Sequence, residues 1–253
     1  MFKFKLNFSA GFTKREKDII QDASLFWSSI IKSEFEPYPD FKPYSYADHC
    51  EVDVMLVPID GASGKLALGW TSVLRPYTAR PLRGGIKIDE VDIKKGSKNG
   101  MLYSAVLHEF GHVLGIGSNW DLTEKPYLQN SDSDNPEYVG PASMKAYASL
   151  RENSKIIPVP VANGPDPSSR GMHWRESTFG NELLTPAMKN ADNPLSILTI
   201  ANLEDLGYKV DYDKAEQYEL PPAGAKALDY DLTAHYCNTI ERPFPMLPED
   251  IIS

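Results

Sequence analysis

Residues 108–120 read HEFGHVLGIGSNW, and the first five of them constrain the fold more than any other stretch. On a helix, residues four apart lie on one face. His108 and His112 can therefore offer two imidazole nitrogens to one metal ion if this stretch is helical. Glu109 adjoins His108, so its carboxylate stands beside the metal and does not replace a histidine as ligand. There it can take a proton from water, which zinc makes acidic with a pKa of about 7. It can then pass that proton to a leaving amine. A chance HExxH on a surface helix would not carry the apolar pattern seen here, in which Leu102, Ala105, Val106, Phe110, Val113 and Leu114 surround the motif. The pattern predicts a helix over 101–114. Gly115 is its predicted stop, because glycine accepts a positive φ at low cost.

The rest of the chain is compatible with a packed enzyme. Its 253 residues suit one large domain or two subdomains flanking a cleft. A net charge of −9 argues against a nucleic-acid-binding surface, which is normally basic. The KKGSK stretch at 94–98 reads as a solvated loop. No run of about 18 apolar residues is present to cross a membrane. The first residues, MFKFKLNFSAGF, alternate apolar and polar and contain no continuous apolar stretch of a signal peptide. Cys50 and Cys237 would pair in an oxidising compartment, and two unpaired thiols fit the sequence equally well.

The alternation of Phe2, Phe4, Leu6 and Phe8 with polar residues predicts a half-buried strand. Thr13 and Glu16 form a capping-box pattern. Ile19, Ile20, Ala23, Phe26, Trp27, Ile30 and Ile31 then recur at helical spacing, which predicts one long amphipathic helix over 13–33. Strands are expected at 51–58 (EVDVMLVP), 66–70 (LALGW) and 84–93 (GGIKIDEVDI). A long loop-rich segment follows over 118–172, with a short helix near 142–152. Asn193-Pro194 reads as an N-cap and first turn of a further helix ending at Leu206 and stopped by Gly207. The tail after Pro221 is loop-rich, and no repeats or low-complexity tracts occur. The expected class is α+β, with a mixed twisted sheet and long helices in an N-terminal subdomain, residues 1–117. A loop-rich C-terminal subdomain, residues 118–253, carries one main helix.

Two histidines leave a zinc site one protein ligand short. Five histidines exist in all: His49, His108, His112, His173 and His235. An aspartate or glutamate could also serve, as in His₂Glu sites. Because Gly115 ends the helix and turns the chain, the third ligand should arrive from a loop. His173 lies in such a loop, RGMHWRE.

The motif continues with the xxG of metzincins, whose full pattern is H-E-x-x-H-x-x-G-x-x-H. Ser118 stands where the third histidine would be. HEFGHVLGIGSNW, a long insert, HWRESTFGNELLTPAM and then LSILTIANLEDLGYKV resemble the leishmanolysin family of metzincin zinc peptidases. In that family an insert of variable length separates the glycine from the third histidine. The family's D-L-G-[YW] motif is matched by Asp205, Leu206, Gly207 and Tyr208. Weaker similarity runs from the first strand and helix to about Tyr218, as in a minimal, bacterial-type member. The resemblance implies a metzincin-like fold and a zinc-dependent endopeptidase. It implies one catalytic Zn²⁺ held by His108, His112 and His173, with Glu109 as base and acid. Ser118 is then an ordinary residue at the entry to the insert. The resemblance also implies a protein or peptide substrate bound along strand 84–89, and an extracellular role. A monomer is the expected state.

One departure stands out. The family's E-L-M pattern falls on Glu182, Leu183 and Leu184, which puts Leu184 where metzincins keep a methionine beneath the metal. Either Leu184 is a near-isosteric floor, a swap that cores tolerate, or Met188 takes the role through a longer turn. Leu184 is the one sequence feature that supports a degenerate peptide-binding module, and intact Glu109 speaks against it. A zinc hydrolase of a non-peptide amide or ester is the other alternative. His49-Cys50 and His235-Tyr236-Cys237 could form a second soft-ligand site if they met in space, and Cys237 could cap the zinc in a latent form. Asp132 and Asp134 offer oxygens to calcium, but no spaced calcium loop supports them. Trp120 and Trp174 are expected to pack beside the site.

Overall fold

The structure is a computed structural model. It describes residues 2–33, 49–75, 78, 80–122, 126–164, 169–188 and 190–222, and the backbone of 235–236. It is mixed α+β, and one sheet lies against the helix that carries the HExxH motif. Strand β1 (Phe4–Phe8) exposes Lys5 and Asn7 and turns its aromatic residues inward. Helix α1 (Lys14–Ile30) begins at the predicted capping box. Glu16 N donates to Thr13 Oγ1 at 3.3 Å, and Thr13 N donates to Glu16 Oε2 at 2.8 Å. Ile20, Ala23, Trp27 and Ile30 form its buried face. Strands β2 (Cys50–Val57), β3 (Ala67–Leu74) and β4 (Pro81–Asp89) complete a sheet of order β1-β2-β4-β3. The pairs β1·β2 and β2·β4 are parallel, and β3·β4 is antiparallel.

This order corrects one expectation. The chain goes from β2 out to β3 and returns as β4 between them, so β4 has a neighbour on each side. The stretch 84–89 cannot add a substrate strand, because its backbone groups already pair with β2 and β3. The outer member on that side is β3, which also runs longer than the predicted 66–70.

Helix α2 (Ile93–Asn99) replaces the loop expected at 94–98. Ile93 and Gly96 are buried while Lys94, Lys95 and Lys98 are exposed, so the segment is solvated but helical. Helix α3 (Met101–Val113) follows, and only Tyr103 among its residues escapes full burial. A helix apolar on nearly every face belongs at the centre of a protein. Trp27 of α1 donates its indole N–H to Leu107 O at 2.8 Å. Phe4 of β1 packs on Phe110, with ring centroids 4.7 Å apart.

Beyond α3 lie β5 (Leu128–Gln129), β6 (Glu137–Tyr138), α4 (Pro141–Leu150), β7 (Val159–Pro160), α5 (Glu176–Phe179), β8 (Ala187–Met188) and α6 (Ile197–Asp205). Helix α4 lies where a short helix was expected near 142–152, and at ten residues against nine for α6 it is no shorter, so this half has two main helices where one was expected. Helix α6 has Ser196 at its N-cap position, without a side-chain cap bond, and starts later than the predicted Asn193-Pro194. The physical reason is that Pro194 O accepts from Leu183 N and Leu195 N donates to Glu216, which holds 194–195 as loop. Asp205 receives Ala142 N, Ser143 N and Ser143 Oγ at 2.6–2.9 Å, and so caps the start of α4. Gly115 and Gly207, the predicted stops, have φ of +106° and +87°. Strand β9 (His235–Tyr236) pairs its backbone with β8. The core is one cluster that runs from Phe2 to Tyr208 and draws on both sides of residue 117.

Candidate metal centre

Helix α3 places His108 and His112 one turn apart on its inner face, and the chain after Gly115 returns His173 to them. The Nε2 atoms of His108 and His112 are 2.9 Å apart, and those of His112 and His173 are 3.0 Å apart. All three rings are fully buried. Among the described residues they form the one group of three metal-ligating side chains placed to hold an ion.

The opposite ring nitrogens are committed elsewhere. His108 Nδ1 lies 2.6 Å from Leu183 O, His112 Nδ1 2.9 Å from Ile116 O, and His173 Nδ1 3.0 Å from Ser169 O. Each Nδ1–H donates to a main-chain carbonyl, which leaves Nε2 as the lone pair facing the shared centre. This arrangement fixes tautomer and ring direction at metal sites. Burial, reinforced by the neighbouring rings, pushes His112 and His173 down to about 3 and His108 well below its ordinary value. The imidazoles are therefore neutral, as ligands must be.

This donor set fits zinc. Tetrahedral bonds of about 2.0–2.1 Å put ligand nitrogens about 3.4 Å apart; the His108–His112 and His112–His173 separations of 2.9 and 3.0 Å lie within about 0.5 Å of that, and all three ligand atoms lie within 4.8 Å of one another. Three histidines are a ligand count typical of catalytic sites, which keep a fourth position open, whereas structural sites close all four with protein.

Glu109 is fully buried beside the histidines and against β3. At Gly69 of β3, a Cβ would stand 2.8 Å from Glu109 Oε2 and 2.6 Å from Glu109 O. Only glycine lets this strand approach α3 so closely. Two residues on, Thr71 Oγ1 donates to His112 O at 3.1 Å and Val113 O at 3.0 Å. Ser118 Oγ donates to the same His112 carbonyl at 2.7 Å. Ser118 is thus more than the ordinary residue expected at the entry to the insert. With Thr71 it adds hydroxyl donors to the last carbonyls of the helix, where His112 O also accepts from Gly115 N at 3.1 Å.

Leu184 lies fully buried under α3. A Cβ at Gly111, inside HEFGH, would stand 3.1 Å from Leu184 Cδ1. Leu184 therefore packs against α3 between its two histidines, and Met188 lies four residues on in β8. The indole rings of Trp120 and Trp174 pack at 4.9 Å between centroids. Their N–H groups donate to Asn202 Oδ1 and Thr199 Oγ1, as expected of packing residues. Tyr208, the last residue of the D-L-G-Y motif, donates its hydroxyl to Leu114 O at 2.9 Å.

Among the described residues, the remaining sequence candidates do not join this centre. His49 lies 3.7 Å from Glu51. Cys50 is buried and, among the described residues, a free thiol. Cys237 and the side chain of His235 fall outside the described residues, and with them the proposed pairing, second site and latent cap. Asp132 and Asp134 are exposed in a loop. Sequence reasoning missed Thr71, Ser118 and the three carbonyl partners. No side-chain pattern could have flagged them, because each acts through or upon the main chain.

No curated protein matches this sequence. A family model does, over residues 49–240, a span that contains all three histidines and Glu109 but not β1 or α1; its description is leishmanolysin.

Proposed function

The chain belongs to the leishmanolysin family of zinc metallopeptidases, and we propose that it is a metzincin-type endopeptidase. His108, His112 and His173 would hold one zinc ion, and Glu109 would be the general base and then the general acid. The observation that carries this reading is the convergence of three neutral Nε2 atoms, each ring held by a carbonyl behind it. Bound there, zinc supplies Lewis acidity, lowering the pKa of water toward about 7 and polarising a carbonyl. Glu109 takes a proton from the water that adds to the scissile carbonyl carbon. It returns that proton to the amine nitrogen as the C–N bond breaks. Burial of Glu109 keeps this exchange away from bulk water, where electrostatic effects are weaker.

The substrate is read as a polypeptide, and β3 is the strand it would pair with. Among the described residues β3 has β4 on one side and no strand on the other. It runs beside α3 with Gly69 against Glu109, so a peptide added to its edge would pass the base. The cleft would then divide residues 1–117, which carry the sheet and α3, from 118–253, which supply His173 and the floor.

Incubation of the zinc-loaded protein with an unfolded protein substrate, read by mass spectrometry, tests this. Fragments are expected from the wild type and not from the chelator-treated protein or Glu109→Ala. Equal cleavage by Glu109→Ala, or none by the zinc-loaded wild type, would overturn it.

A further inference from the structure

Glu182 is a carboxylate with no access to water, and the metal ligands and base do not include it. Burying an ionisable group is costly unless its oxygens are filled, and here both are. Oε2 accepts from Leu184 N at 2.7 Å. Oε1 accepts from Ser196 N at 3.2 Å, Ser196 Oγ at 2.7 Å and Thr199 Oγ1 at 2.5 Å. The partners on one side belong to the floor of the metal centre. Those on the other belong to the first turn of α6, where the helix dipole favours negative charge.

The floor is a tight turn, closed by Thr185 N donating to Glu182 O at 3.1 Å. Its two central residues are Leu183 and Leu184. Leu183 O is the acceptor that orients His108. Leu184 O accepts from Trp174 N at 2.9 Å, next to His173 in the chain. Thr199 Oγ1, which donates to Glu182, also accepts from the Trp174 indole at 2.9 Å. Two of the three ligands therefore connect to this carboxylate, His108 through Leu183 O and His173 through Trp174.

We propose that Glu182 is a positioning residue for the metal centre: it pins the 182–185 turn to α6 and so fixes the carbonyl behind His108 and the main chain beside His173. An apolar side chain of the same size would fill the volume. It would leave the Leu184 amide and the Ser196 and Thr199 groups without an acceptor and the turn free to shift. The inference rests on the metallopeptidase reading, since a positioning role needs a metal to position.

The test is metal binding, read without turnover. Metal-free wild type, Glu182→Gln and Thr13→Ala are titrated with Zn²⁺ against a chromophoric chelator, then loaded with Co²⁺ for absorption spectra. Thr13→Ala removes a distant helix cap and controls for general destabilisation. Glutamine keeps the volume, but its amide turns two protons toward donors, so one side of the network must break. Loss of outer groups that orient ligands weakens metal binding about 10–100-fold. The lower end is expected for Glu182→Gln, with a changed Co²⁺ d–d spectrum, while Thr13→Ala keeps wild-type affinity and spectrum. If Glu182→Gln does not fold, Ser196→Ala, which removes one donor, takes its place with an expected loss of about threefold. Wild-type affinity and spectrum in the folded Glu182 or Ser196 variant would overturn the positioning role. A wild type that binds no zinc would overturn the metallopeptidase reading itself.

Discussion

At the scale of single residues, the end of α3 is held by two hydroxyls that share the His112 carbonyl, Thr71 Oγ1 from β3 and Ser118 Oγ from the following turn. Ser118→Ala removes one donor and leaves Thr71 Oγ1 and Gly115 N on the same carbonyl, so it should lower stability by about 0.5–1.5 kcal/mol in urea unfolding. Combined with Thr71→Val it should lower stability by more than the sum of the two, because residues sharing a partner couple. Strict additivity would show that the two bonds act independently. Glu182 provides a test by pH. Burial pushes its carboxyl above the ordinary value of 4.5, and its four donors pull it back only in part. As pH rises past that value, the unfolded chain loses this proton before the folded protein does. The folded state then binds more protons, and stability falls with rising pH until the raised folded value is passed. Glu182→Gln lacks this dependence. The gap in urea midpoint between wild type and variant should therefore narrow as pH rises from about 4.5, and a constant gap would place the folded value at the ordinary one. Of these residues, His108, Glu109 and His112 were legible in their spacing alone. His173, 61 positions beyond His112, was legible only through the family pattern around it. The carbonyls of Leu183, Ile116 and Ser169 were not legible, because every residue has one and only the fold decides where it points.

At the scale of elements, local signals worked where local physics decides. The box at Thr13 and Glu16 and the apolar face after it specify α1 without help from the rest of the chain. Thr13→Ala should lower stability by about 1 kcal/mol, measured by thermal unfolding, with zinc affinity unchanged. The order of strands was not legible, because pairing is set by contacts between distant segments. The alternation at 84–89 fits an interior strand and an edge strand alike. The start of α6 was misread for the same kind of reason, since Pro194 and Leu195 take partners from residues 183 and 216. The approach of β3 to α3 gives a sharper prediction. In Gly69→Ala the new Cβ would overlap the backbone and carboxylate of Glu109, and backbone cannot yield as a side-chain tip can. Peptidase kcat should fall at least tenfold while zinc affinity stays within about twofold, since a displacement of about 1 Å at a reacting group costs up to about 100-fold. Loss of zinc together with activity would show instead that β3 supports the ligands rather than the base.

At the scale of the whole molecule, the metal would join segments that lie far apart in the chain. His108 and His112 come from α3, and His173 comes from a loop held by Ala162 N donating to His173 O and by the turn from Ser169. Zinc removal therefore withdraws a cross-link between the sheet-bearing part and the α4/α6 part. It leaves three buried, neutral rings close together, still fixed by their carbonyls. Small zinc domains unfold when the metal leaves, because the metal supplies most of their folding free energy. This chain differs, since its core is one apolar cluster from Phe2 to Tyr208 that does not depend on the three histidines for continuity. The metal-free protein should keep its far-ultraviolet circular dichroism at 25 °C and unfold at a lower temperature. Free zinc at about 100 times its Kd stabilises by about 2.7 kcal/mol. In a chain of this size each kcal/mol moves the midpoint by about 2–4 °C, so chelation should lower Tm by about 5–11 °C. His173→Ala should reach nearly the same Tm with and without zinc, because the bridge is gone even though His108 and His112 remain. An undiminished zinc response in His173→Ala would mean that the metal is held within α3 alone, and that the return of the loop serves packing rather than coordination.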